Sequence, residues 1–127
     1  MRELIFFVNK KITAKDCFEA LKNEIKHVEM NGSENIWINA KSKSFLIFTD
    51  DTLDDFIFNS PKELEEFKSK IPLKNPVLID FQTHRSIDAK RVIKVLMQIC
   101  PELFVNVNDE SNIFCTAQEY LDTKFDY

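Results

Sequence analysis

Between Pro76 and Asn108 the chain runs through an apolar stretch, Val77-Leu78-Ile79-Asp80-Phe81, an amphipathic segment from Ser86 to Cys100, and a second apolar stretch, Leu103-Phe104-Val105-Asn106-Val107. A short continuous β-rich run bounded by turn residues fits a strand covered on both faces. In the segment between the two runs, Ala89, Val92, Ile93, Leu96, Ile99 and Cys100 recur three or four apart. That spacing predicts a helix with one apolar stripe, from which Lys90, Arg91 and Lys94 point away. Pro101 stops it, because proline lacks the N–H that would continue the ladder. If the two strands share a sheet, they must run in the same direction with a right-handed crossover.

The rest of the sequence supplies more strands and helices around this unit. Leu4-Ile5-Phe6-Phe7-Val8 reads as a buried strand. Thr13 and Asp16 form a capping-box pattern at the head of a helix whose apolar face is Cys17, Phe18, Leu21, Ile25 and Val28. Asn31-Gly32 is expected to end that helix in a left-handed turn. Residues 34–40 and 44–49 read as two strands joined by Lys41-Ser42-Lys43, a connection too short for anything but an antiparallel hairpin. Ser60-Pro61-Lys62-Glu63 opens a short helix that Pro72 closes, with Leu64 and Phe67 on its inner side. After the central unit come an Asn108–Asn112 turn, a short strand Ile113-Phe114-Cys115 and a last helix capped by Thr116 and Glu119. The order β-α-β-β-α-β-α-β-β-α predicts one α+β domain over residues 1–127, a mixed sheet with helices packed on it.

Size and composition bound the function classes. For 127 residues the area scaling law gives roughly 7,000 Å² exposed when folded against about 21,600 Å² unfolded, enough burial for one core without a staple. A single glycine among twelve phenylalanines leaves few places where the backbone can cradle a phosphate. Three cysteines, Cys17, Cys100 and Cys115, do not pair evenly, and their apolar settings suit free thiols in a reducing cytoplasm. The N-terminal apolar run is too short for a signal segment or a membrane span.

Chemistry-bearing patterns are sparse. His27 and His84 fall at different element ends without Cys-x-x-Cys or His-x-x-x-His spacing, so a zinc site has no visible ligand set. His84 and Arg85 follow a strand and precede a helix, where open sheets often hold ligands. His84 with Asp80 and either Thr83 or Ser86 is therefore the candidate site for a small enzyme or ligand-binding domain. The competing reading has Thr83 or Ser86 capping the helix and His84 exposed. No catalytic residue, metal or cofactor is assigned.

Charge is blocked along the chain. Residues 50–66 carry seven acidic groups and one basic, and residues 109–127 carry five and one. The Asp50-Asp51-Thr52-Leu53-Asp54-Asp55 run lacks the alternating oxygens and the glycine of a calcium loop. Two such segments side by side would attract and orient a basic partner while repelling nucleic acid. The Lys90, Arg91 and Lys94 face is too small for a nucleic-acid surface.

The closing run from Phe104 to Leu121 combines a strand, the acidic turn Asn108-Asp109-Glu110-Ser111-Asn112, a short strand and a capped helix. Within residues 77–122 this pattern resembles bacterial immunity proteins of contact-dependent growth inhibition and related polymorphic toxin systems. The resemblance implies a cytoplasmic inhibitor, monomeric when free, that binds one cognate basic toxin domain, commonly a nuclease. On that reading Asp50, Asp51, Asp54, Asp55, Glu63, Asp109 and Glu110 face the toxin, and Phe56, Phe58 or Tyr120 anchor it. A scaffold that self-associates through Phe56 to Phe58 is the third expectation.

Overall fold

The computed structural model describes residues 2–9, 11–39, 44–52, 61–70, 76–107 and 113–123. Seven strands and four helices follow one another as β1 (Arg2–Val8), α1 (Ala14–Glu24), β2 (Glu29–Asn31), β3 (Asn35–Asn39), β4 (Ser44–Thr52), α2 (Pro61–Lys70), β5 (Val77–Thr83), α3 (Ser86–Ile99), β6 (Phe104–Val107), β7 (Ile113–Thr116) and α4 (Ala117–Leu121). The strands form one sheet in the order β2-β3-β4-β5-β1-β6-β7. The α+β architecture expected from the sequence is the one observed.

The pairing departs from a mixed sheet, because every neighbouring pair is antiparallel. The cause is the position of β1. It pairs with β5 on one side, Phe6 opposite Ile79, and with β6 on the other, Phe6 opposite Val105. The strands β5 and β6 therefore do run in the same direction across α3, but β1 lies between them. The apolar strands β1 and β6 are then buried on both faces, and β5 is buried on its helix side. One face carries Leu4, Phe6, Val8, Ile79, Phe81, Val105 and Val107, all in a single core cluster with residues of α1, α3 and α4. The opposite face carries Phe7 and Phe104, both buried, with ring centroids 6.4 Å apart and planes at 60°.

Local sequence sets most helix ends. In α1 the Thr13 hydroxyl accepts from the Asp16 N–H at 3.2 Å and the Asp16 carboxylate accepts from the Thr13 N–H at 3.0 Å, which satisfies two orphan donors. In α4 Thr116 and Glu119 repeat the arrangement. The expected stop of α1 at Asn31-Gly32 is corrected: the helix ends at Glu24, with Ile25 as an extended cap residue at φ −125°. Asn31 and Gly32 instead begin the turn of a hairpin between β2 and β3, with Gly32 at φ +79°. Nor does Thr83 or Ser86 cap α3. Arg85 occupies that position without a side-chain bond, and Ser86 is the first helical residue.

Thr83 has another task. Its hydroxyl lies 2.7 Å from the Ser44 hydroxyl, accepts from the Arg85 N–H at 3.0 Å, and Ser44 in turn donates to Asp88 Oδ2 at 2.9 Å. Ser44, Thr83 and Asp88 are all buried, so this chain ties the start of β4 and the end of β5 to the first turn of α3. Buried polar groups persist where they are satisfied in this way.

Candidate interaction surface and cavity

Strand alternation sorts the sheet into two chemically different faces. Ile36, Ile38 and Leu46 point to the helices, so Trp37 and Phe45 point away from them. Register places Glu29, Trp37, Phe45, Gln82 and Glu3 in one row across β2, β3, β4, β5 and β1. The next row holds Asn31, Asn35, Ile47, Asp80, Ile5 and Asn106. Trp37 is 41% exposed, and its ring centroid lies 6.4 Å from that of Phe45. No lysine or arginine among the described residues falls in either row, whereas Glu3, Glu29 and Asp80 do.

Asp80 is the electrostatic oddity of this face. Burial, and then the nearby Glu3 carboxylate, push its carboxyl up to about 6. Gln82 Nε2 donates to Asp80 Oδ2 at 3.3 Å, while Oδ1 is buried without a hydrogen-bond partner.

The acidic segment singled out in the sequence begins at a defect in the sheet. Phe48 pairs with Ile79 and Thr52 with Val77, so four steps along β4 match two along β5. The extra residues make a bulge that contains Asp50 and Asp51. Bulges bend a strand and re-aim its side chains. The backbone of Asp50 and Asp51 is described but their side chains are not. Glu63 is likewise described only through the backbone of α2. Asp54, Asp55, Phe56, Phe58, Asp109 and Glu110 lie outside the described residues.

Two expectations are corrected. Tyr120 is fully buried in the core cluster, where Ala117 and Leu121 bring α4 against the sheet, so it offers no surface to a partner. The His84 constellation does not converge. Asp80 and Thr83 are three residues apart on a strand and point to opposite faces, Thr83 is committed to Ser44 and Arg85, and His84 is exposed.

The larger described cavity lies elsewhere, between the end of α1 and the outer face of α3. It holds about 600 Å³ and is lined by Glu24, Ile25, Lys26, His27, Ile38, Asp88, Arg91, Lys94, Val95 and Gln98. Periodicity had placed Arg91 and Lys94 on one helix face. What sequence reasoning missed was that the loop after α1 would bring Lys26 and His27 opposite them.

The thiols are poor nucleophiles. Burial pushes Cys17 up to about 12 and Cys115 up to about 11, and raises Cys100 as well. Among the described residues no three His, Cys, Asp or Glu side chains converge as a metal site. No described helix is long and apolar enough to cross a membrane. Comparison with protein-family models, curated proteins and solved structures gave no match for this chain.

Proposed function

We propose that this protein is an immunity-type inhibitor that neutralises a basic toxin domain, of the nuclease kind, by covering its active surface. The observation that carries the reading is the outer face of the neighbouring strands β2, β3, β4, β5 and β1, where Trp37 is exposed beside Phe45 and the described charges in the two rows, Glu3, Glu29 and Asp80, are all acidic. An exposed tryptophan amid like charges suits an interface in which a large side chain anchors and the charges steer. The acidic bulge at Asp50 and Asp51 lies on the same strand as Phe45, and the segment it opens carries seven acidic groups against one basic. Together they present a field that speeds encounter with a cationic surface.

The test is co-expression with the products of neighbouring reading frames, scored by equimolar capture and by rescue of growth. Capture of a basic domain and rescue are the expected outcomes. The fourfold variant Asp50→Asn, Asp51→Asn, Asp54→Asn and Asp55→Asn then lowers the association rate and flattens its salt dependence. Failure of every neighbouring product to be captured or silenced overturns the proposal. An unchanged association rate overturns the acidic interface alone.

A further inference from the structure

The cavity between α1 and α3 faces away from the sheet surface just described, and its chemistry is of the opposite sign. Its origin lies in where α1 ends. Ile25 leaves helical geometry, and His27 adopts φ +63°, turning the chain into β2 before it has covered the side of α3 between Asp88 and Gln98. Arg91, Lys94 and Gln98 are left exposed on one wall, and Lys26 and His27 stand on the other. Ile38 and Val95, both buried, supply apolar lining between them.

Three cations thus meet two carboxylates in a chain whose net charge is −4. The cations outnumber the carboxylates by one, and the two carboxylates are placed differently from them. Asp88 is 4% exposed and accepts the Ser44 hydroxyl at the floor, and Glu24 is an exposed rim residue. A concave site of about 600 Å³ falls within the roughly 300–1,000 Å³ typical of small-molecule pockets, and a few polar groups around an apolar body are the usual lining.

We infer that this cleft binds a small molecule carrying an oxyanion head, a phosphate or a carboxylate, on an apolar body. The head lies between Arg91, Lys94 and Lys26, where arginine can grip two oxygens at once. The body rests on Ile25, Ile38 and Val95. His27 stands at the rim as a further donor. This function is independent of toxin binding, since none of these side chains lies on the Trp37 face.

Phenyl phosphate and benzoate, titrated separately into the isotope-labelled protein and followed by amide chemical shifts, test it and tell the two heads apart. Saturable shifts at Lys26, His27, Ile38 and Val95 with at least one probe are expected. The double variant Arg91→Gln, Lys94→Gln should weaken that binding about tenfold or more, the loss expected when charge-assisted bonds disappear. Both positions are exposed, so the variant keeps its fold, and Lys15→Gln on the exposed side of α1 should leave binding unchanged. Shifts that fail to saturate with both probes, that survive the double variant, or that fall equally with Lys15→Gln overturn the inference. Binding of inorganic phosphate as tight as that of phenyl phosphate overturns the role of the apolar lining.

Discussion

Ser44 gives its one side-chain proton to Asp88 at 2.9 Å, which leaves Thr83, 2.7 Å away, to share its own proton between the Ser44 oxygen and the Arg85 carbonyl at 3.1 Å. The Arg85 N–H in turn donates to the Thr83 hydroxyl at 3.0 Å. Removing the middle member strands groups on both sides. Ser44→Ala is expected to cost about 1–3 kcal/mol, the usual penalty for leaving buried polar atoms without a partner. Urea denaturation read as a lower midpoint at unchanged slope checks it.

Asp80 supplies a pH dependence with a defined sign. Its carboxyl titrates at about 6 in the folded chain, raised from 3.8 by burial and then by Glu3. The fold therefore holds the proton more tightly than the unfolded chain does. Its ionisation penalty is fully present above about pH 6 and fades as pH falls toward 4. Asp80→Asn should raise the melting temperature at pH 7.5 and leave it unchanged near pH 3.5. Equal gains at both values would show that the carboxylate charge is not the cause.

The two described left-handed positions should respond in opposite directions to substitution. His27 sits at φ +63° with a side chain, so His27→Gly is expected to stabilise by about 0.5–1 kcal/mol. Gly32 sits at φ +79° in the β2–β3 turn, and a Cβ added there meets nothing within 4 Å. Gly32→Ala should then cost about 1–2 kcal/mol through backbone strain alone. Thermal melts of the pair give the comparison.

The end of the chain is held by packing as well as by a cap. Tyr120→Ala removes a fully buried ring and should destabilise by about 3–5 kcal/mol. Thr116→Ala removes the α4 cap and should cost about 1 kcal/mol. The Tyr120 loss should be the same with and without a bound partner, since that side chain lies in the core on the helix side of the sheet. Chemical denaturation of the free and captured protein separates the two roles.

Local features were legible because their causes are local. Thr13 with Asp16 and Thr116 with Glu119 announce helix starts three residues apart, and the stripe from Ala89 to Cys100 needs only its own spacing. The β2 strand was hidden because Ile25 and Val28 continue a helical stripe from Leu21, while Val28 and Met30 also fit a strand's alternation. Only the backbone turn at Ile25 to His27 decides between them. The antiparallel pairing was illegible for a different reason: no pattern within residues 76–108 reveals that Leu4 to Val8 will come between its two strands. Tyr120 misled because a phenol suits surface and core alike. Trp37 was within reach of the sequence, as the outward member of Ile36-Trp37-Ile38, and the acidic row around it required the register.

Strand β1 is sheltered by strands made long after it. Leu4 to Val8 must wait for Val77 to Thr83 and then Phe104 to Val107 before both its edges are closed. At synthesis rates of about 5–20 residues per second, a growing chain carries that apolar ribbon with at least one edge open for roughly 5–20 s after it leaves the ribosome. During that interval it is an open template for any neighbouring nascent strand. Folding of the sheet centre is thereby tied to synthesis of Phe104 to Val107, and its speed to long loop closures rather than to the quickly formed helices.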